Sequence, residues 1–291
     1  MRIATWNLLH GQPIPPTSEN PFSSLSESES NQHLSEIAQF VSSSGFEIIG
    51  LQEIDDSQER SGLHSQIAKI AQHMNQLDSG ERNSYHFAYA RTVIGTPGFK
   101  WRKLRKDEEV INPNDGQPSY GIGLISQIPV KQWQTLSLGR SWVGLPLAVP
   151  GGKNGKSIRF LYVRDEPRIA LAAQLENGYT VAVTHLSFVP LVNLWQLFRV
   201  KRWLKEIGKN SDHIILMGDL NLPFNIPIRP RALSEWRSLH NQKSYPSWKP
   251  SVKFDYILSL KNRKKEQVGA TEVELPPSGF SDHLPLAADV N

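Results

Sequence analysis

Carboxylates, amides and imidazoles recur in this chain wherever an apolar, strand-like run ends. Asn7 closes the run that begins Met1-Arg2-Ile3, and Glu53 follows Phe46–Leu51 and Gln52. His185 ends Tyr179–Thr184, and Asp219 and Asn221 follow His213–Met217. Asp255 sits in Phe254-Asp255-Tyr256-Ile257-Leu258, and Asp282-His283 immediately precede a closing run from Leu284. Polar residues placed where strands leave a core can converge on one rim. Oxygen donors without thiolates suit a hard divalent cation, Mg²⁺ or Mn²⁺, and histidines beside them suit general acid–base work or contact with an anion. Taken singly, each has an ordinary role. Asp219 is a turn former, His185 a satisfied strand-end histidine, Asp282 a cap and Glu53 half of a surface ion pair. The ordered set is what points to chemistry.

The elements that would carry these groups can be read from periodicity. Residues 1–7 and 46–51 read as buried strands. Leu34, Ile37, Ala38 and Val41 lie at helical spacing and stop at Gly45, and Leu63, Ile67, Ile70, Ala71 and Met74 mark a second helix. The middle is strand-rich: 85–91, 121–126, 131–138, 158–163, 168–176 and 179–185, the last two joined by the hairpin signal Asn177-Gly178. Pro190 precedes a third helix with Leu194, Leu197, Phe198 and Leu204, and strands over 213–217, 253–259 and 284–290 close the chain. Residues 12–30, rich in Pro, Ser and Glu, read as an exposed loop. No linker separates two cores, so residues 1–291 are expected to form one α/β (α+β) domain, with loop insertions near 95–119 and 222–252.

Composition narrows the chemistry. The 291 residues contain no cysteine, which excludes disulfides, thiolate zinc sites, iron–sulfur clusters and a cysteine nucleophile. Lysine and arginine exceed aspartate and glutamate by 32 to 28, a mild excess that permits an anionic partner without requiring one. No apolar run reaches the length of a transmembrane helix, and the N-terminus lacks the pattern of a secretory signal, so a cytoplasmic location is expected. Nucleotide-binding glycine loops are absent, and nothing in the sequence calls for an obligate protein partner.

Ala4-Thr5-Trp6-Asn7, Leu51-Gln52-Glu53, Gly121–Ser126, Thr184-His185-Leu186, Met217–Asn221, Phe254–Leu258 and Ser281–Leu286 follow one another in an order that resembles the endonuclease/exonuclease/phosphatase superfamily. The resemblance spans nearly the whole chain. It implies the DNase I-like fold, a four-layer α/β/β/α sandwich of two packed mixed sheets flanked by helices. It also implies hydrolysis of a phosphoric ester with Mg²⁺ or Mn²⁺. By that resemblance Glu53 ligates the metal, and Asn7 and Asp282 complete or support its shell. His283 takes a proton from the attacking water, and Asp255 holds the His283 tautomer. Asp219 orients the nucleophile or handles the leaving-group proton, while Asn221 and His185 donate to phosphoryl oxygens.

The substrate is less constrained. The leading expectation is a phosphodiesterase, most naturally a nuclease. Lys100, Arg102 and Lys103 head a basic run that could track a nucleic-acid backbone, although Asp107-Glu108-Glu109 partly cancel it. Trp101, Trp236 and Trp248 are candidates for base stacking, and Tyr120 and Arg168 for substrate contacts. The alternatives are a phosphatase or phospholipase acting on a small or lipid phosphate, for which the apolar stretch Leu186–Leu197 would supply a wall, and a non-catalytic binding protein on the same fold. His10 reads as a loop histidine.

Overall fold

A computed structural model describes residues 1–13, 25–77, 84–151, 157–229, 235–261 and 267–291. The chain runs β1 (Arg2–Asn7), α1 (Glu27–Ser43), β2 (Ile48–Asp56), α2 (Gln66–Leu77), β3 (His86–Gly95), β4 (Trp101–Lys103), β5 (Ser119–Ser126), β6 (Val130–Gly139), β7 (Leu145–Gly151) and β8 (Ser157–Val163). It continues through β9 (Arg168–Leu175), β10 (Tyr179–His185), α3 (Val192–Ile207), β11 (His213–Asp219), β12 (Trp236–Ser238), β13 (Asp255–Leu260), β14 (Ala270–Val273) and β15 (Leu286–Val290).

The strands form two mixed sheets, ordered β14-β15-β1-β2-β5-β3-β4 and β12-β13-β11-β10-β9-β6, while β7 and β8 pair only with each other. One apolar layer lies between the sheets: Ile3, Ile48 and Leu124 from the first, and Leu171, Val183, Met217 and Ile257 from the second. The outer face of the first sheet packs on α1 and α2 through Trp6, Leu51, Leu34, Ile37, Ile67 and Ile70. The outer face of the second packs on α3 through Leu197, Val200, Leu204, Leu216 and Leu258. This is the α/β/β/α sandwich expected from the motifs. The sheets approach so closely at Gly50 that a Cβ there would lie 2.9 Å from Val183 and 3.0 Å from the Met217 sulfur.

The alternation of the strands aims the polar residues. Ile3, Val181, Val183, Ile215, Met217 and Ile257 face the inter-sheet layer. With a period of two, Asn7, His185, Asp219 and Asp255 therefore face the same interior at one end of it. Both parallel pairs, β1 with β2 and β10 with β11, deliver their C-terminal ends to that edge. The register sets His185 opposite Asp219, and Asp219 opposite Asp255.

Several local expectations change. Helix α1 begins at Glu27, inside the segment read as a loop, because Ser26 and Glu29 close a capping box; residues 14–24 of that segment lie outside the described residues. The 95–119 segment is not structureless: it holds β4 and a short 3-10 turn at Lys106–Glu108. In the 222–252 segment, whose residues 230–234 lie outside the described residues, Trp236 is buried in β12 and cannot stack on a base. Strands β4, β7, β12 and β14 carried too little alternation to be read from sequence. Among the described residues no helix is long and apolar enough to cross a membrane.

Candidate active site

Strict alternation along β2 would send Glu53 outward, under α2. A bulge prevents this. The pairing register with β5 shifts between Gln52 and Ile54, Glu53 adopts φ 55°, and Ile54 instead enters the outer core. The extra residue re-aims the carboxylate toward the edge where Asn7 and Asp219 stand. Asp219 depends on a second backbone device. Gly218 has φ 139°, and a Cβ there would fall 1.9 Å from the Thr184 carbonyl oxygen, so no other residue fits.

The side chains interlock. Asn7 Nδ2 donates to Glu53 Oε1 (3.0 Å) and Asp219 Oδ2 (3.2 Å), while its own oxygen accepts from the Leu9 amide. His283 Nδ1 lies 2.7 Å from Asp255 Oδ2; a carboxylate oxygen accepts, so the ring nitrogen donates. Ser244 donates to that same oxygen at 2.5 Å. The other ring nitrogen, Nε2, faces Asp219 Oδ2 across 3.8 Å, too far for a direct hydrogen bond. His185 Nε2 is 3.7 Å from Asp219 Oδ2 and 4.0 Å from Glu53 Oε1. Asn221 donates from its backbone to Asp219 Oδ1 (2.9 Å) and from Nδ2 to the Leu186 carbonyl (3.0 Å), in a left-handed conformation. The His283 loop is pinned on three sides: Trp6 Nε1 donates to the His283 carbonyl, Ser281 Oγ to the Asn7 carbonyl and the Leu284 amide to the Ser244 carbonyl.

The electrostatics separate the two histidines. Burial alone would depress His283, but Asp255, and then Asp219 and Asp282, push its pKa well above the ordinary value. Burial holds His185 well below it, helped by the charges of Arg168 and His283. One imidazole thus favours its cationic form, while the other stays a neutral donor. Burial, then the Asp282 charge, pushes Glu53 up to about 7. Asp219 is raised to about 6 by burial and then Asp255, and burial raises Asp282 as well. Carboxylates that resist being ionised together fit a divalent cation, whose charge reverses that penalty. Asp219, Asp255 and His283 also offer one atom each within 4.8 Å of one another. Asp255 Oδ2 is already engaged by His283 and Ser244, however. The acidic group Glu53, Asp219 and Asp282, with Asn7 bonded to the first two, could also hold a cation.

A second wall continues from Glu53. The Arg60 guanidinium lies 5.8 Å from the centre of the Tyr120 ring and is held by Asp55 at 2.7 and 2.8 Å. Burial, and then the charges of Glu53 and Glu166, raise the Tyr120 hydroxyl well above its ordinary value. Arg168 is buried, paired with Glu166 at 3.0 Å and Asp165 at 3.4 Å. Asp165 in turn accepts from Ser187 Oγ and the Ser141 amide. Part of the basic run is engaged by other side chains. Arg102 forms a bidentate pair with Glu108 (2.6 and 2.7 Å), Lys103 Nζ lies 6.0 Å from the Trp142 ring, and Lys100 is exposed. Sequence reading missed Ser244, Arg60, Asp165 and Glu166. Ser244 comes from a loop with no periodic signal, and the others are charged residues whose pairing only the fold reveals.

His10 is buried, and its Nδ1 has no partner among the described residues. Burial, then the charge of Arg60, lowers its pKa from 6.5 to about 3. Between those values unfolding takes up a proton, so stability falls as pH falls, by about 1.4 kcal/mol per unit. His10→Gln is expected to lose that slope, measured as the urea midpoint of both proteins from neutral pH to about pH 4. A gap between the two that does not change with pH would show that His10 is not the group responsible.

Comparison with known proteins agrees with this fold. No curated protein matches the chain by sequence. Three solved structures illustrate the fold, and each covers all of this chain. A mannosyl-6-phosphatase from Bacteroides thetaiotaomicron is similar at 12% identity over 99% of its own length, with a TM-score of 0.56. An endonuclease/exonuclease/phosphatase from Bacteroides vulgatus shows 16% identity over 98%, with a TM-score of 0.57. D. rerio TDP2 complexed with a single-strand DNA product shows 13% identity over 98%, with a TM-score of 0.52. Since the model of that family matches residues 4–283 and so spans Asn7 to His283, the chain belongs to the endonuclease/exonuclease/phosphatase family.

Proposed function

We propose that this protein is a divalent-metal-dependent phosphodiesterase. The observation that carries the reading is His283, bonded through Nδ1 to buried Asp255 and turned through Nε2 toward Asp219. A water hydrogen-bonded to both Nε2 and Asp219 is oriented by the carboxylate and gives its proton to the imidazole. A cation held beside Asp219 and Asp282 would offset the negative charge that favours the imidazolium, leaving His283 neutral with Nε2 free as acceptor; Asp255 fixes that tautomer and stabilises the imidazolium that results. Glu53, Asp219 and Asp282, with Asn7 in support, would hold Mg²⁺ or Mn²⁺. When bound, the ion polarises a phosphoryl oxygen and offsets the charge that grows there. Neutral His185 and Asn221 are uncharged donors for the remaining phosphoryl oxygens, and they meet that charge without repelling it.

The substrate class has two supports. A polynucleotide is favoured by exposed Lys100, Arg105 and Lys106 and by the likeness to TDP2, although Glu108 neutralises Arg102. A lipid or small phosphodiester is favoured by exposed Leu191 and Phe224, which flank the segment carrying Asn221. The test sets plasmid DNA, an abasic oligonucleotide, RNA and bis-p-nitrophenyl phosphate beside p-nitrophenyl phosphate, with Mg²⁺, Mn²⁺ or EDTA. Metal-stimulated cleavage of a diester is expected. Cleavage of the monoester alone, or full activity in EDTA, would reject the reading.

A further inference from the structure

Helix α3 buries one face and leaves another bare. Leu197, Val200 and Leu204 pack on the second sheet. Leu191, Trp195 and Phe198, at i, i+4 and i+7, are 75%, 54% and 52% exposed. Arg202 continues the same stripe and is also exposed. The aromatics are collared by cations: the Arg199 guanidinium lies 4.8 Å from the centre of the Trp195 ring, and Lys201 Nζ 5.4 Å from that of Phe198. Of the helix's cations, Lys201 and Lys205 pair with Glu235, which leaves Arg199 and Arg202 without a carboxylate partner among the described residues, and Glu206 is the helix's one acid.

The stripe leads to the catalytic edge. Asn193, in the first turn of α3, donates to the Asn221 carbonyl at 2.9 Å. On either side of that contact the backbone presents an apolar residue to solvent at positive φ: Leu191 at φ 69°, and Phe224, 76% exposed, at φ 58°. Neither residue type favours that conformation. An exposed large apolar side chain on strained backbone beside a catalytic residue is the pattern expected of a contact surface.

We infer that the outer face of α3, together with Phe224, is a docking surface for an anionic lipid bilayer, set so that the catalytic edge meets the interface. This inference rests on the phosphodiesterase reading only for its purpose, not for the binding itself. Apolar and aromatic side chains ringed by lysine and arginine are the composition of an interfacial helix: the former enter the headgroup boundary and the latter meet its negative charge. A second copy of the chain fits poorly, because a two-fold contact would set Arg199 and Arg202 against their own images. A polynucleotide fits poorly too, since a cation already lies over one face of each ring and Leu191 offers no stacking face.

The test uses the full chain with vesicles of phosphatidylcholine alone or mixed with phosphatidylglycerol. Co-sedimentation with the anionic vesicles is expected, weakened by salt, with a blue shift of tryptophan emission. The double variants Trp195→Ser/Phe198→Ser and Arg199→Glu/Arg202→Glu should each lower partitioning by about tenfold or more. Their circular dichroism and their hydrolysis of soluble bis-p-nitrophenyl phosphate should stay at wild-type values. Wild type that ignores anionic vesicles, variants that bind as wild type does, a wild-type dimer that the variants dissolve, or oligonucleotide binding lost in place of vesicle binding would each overturn the inference. Vesicle binding by a protein that cleaves no diester would uphold the surface and reject the phosphodiesterase reading, so the two failures are distinguishable.

Discussion

Replacing His283 with alanine is expected to lower turnover of a phosphodiester by about two orders of magnitude or more, with little change in KM or in the circular dichroism of the protein. Water is a poor nucleophile at neutral pH, and His283 is the one imidazole here built to hold a proton. It is buried, its Nδ1 is bonded to Asp255 at 2.7 Å, and Asp219 and Asp282 add further negative charge around it. His185 is held neutral and cannot replace it in that role. Asp255→Asn should retain the fold but allow the ring to reverse its tautomer, because an amide can donate to Nδ1 where the carboxylate only accepts. Turnover should therefore fall in that variant as well, although the imidazole is still present. Steady-state rates on bis-p-nitrophenyl phosphate decide the matter. If His283→Ala turns over as wild type does, the proton is taken elsewhere.

The double variant refines the assignment. If His283 and Asp255 act as one unit, His283→Ala/Asp255→Asn should be scarcely slower than His283→Ala alone, since the carboxylate works only through the ring it orients. Multiplied losses would mean that Asp255 has a separate role. Its second oxygen, Oδ1, is buried and without a partner among the described residues, so such a role would have an atom to carry it.

What could be read from sequence, and what could not, follows from the range of the interactions involved. Asn7, His185, Asp219 and Asp255 were legible because a period of two fixes the face on which a strand-end residue emerges, and the apolar neighbours of each mark that face. Glu53 was legible only through its motif: alternation alone would point it under α2, and the bulge that turns it is a tertiary feature between β2 and β5. Ser244 and Arg60 left no signal, since their value lies in which carboxylate they reach, and that is set by loop paths. The start of α1 was in principle readable, because Ser26 and Glu29 have capping-box spacing, but the surrounding Pro, Ser and Glu masked it. The basic run meets the same limit. Five cations in sequence suggest one electrostatic rim, yet a short turn brings Glu108 back onto Arg102.

Glu53→Gln should make the protein both inactive and more stable. Unfolded, a glutamate ionises near 4.5; folded, Glu53 does so only near 7, because burial and then the charge of Asp282 oppose it. Above about pH 7 the folded state carries the full penalty. Below about pH 4.5 the carboxyl is neutral in both states and the penalty vanishes. Removing the charge should therefore raise the stability of the metal-free protein at about pH 8 by up to about 3 kcal/mol, with no gain in acid. Asn7 Nδ2, which donates to Glu53 Oε1, keeps an acceptor in the glutamine, so the gain is not offset by a lost bond. Mg²⁺ should then raise the Tm of wild type and have much less effect on the variant, since a ligand that binds only the folded state stabilises it in proportion to its affinity. Thermal melts at two pH values, with and without the ion, together with the hydrolysis rate, test both halves at once. A variant that melts with wild type at every pH and gains equally from Mg²⁺ would remove Glu53 from the cation cradle and leave the cation to Asp219 and Asp282.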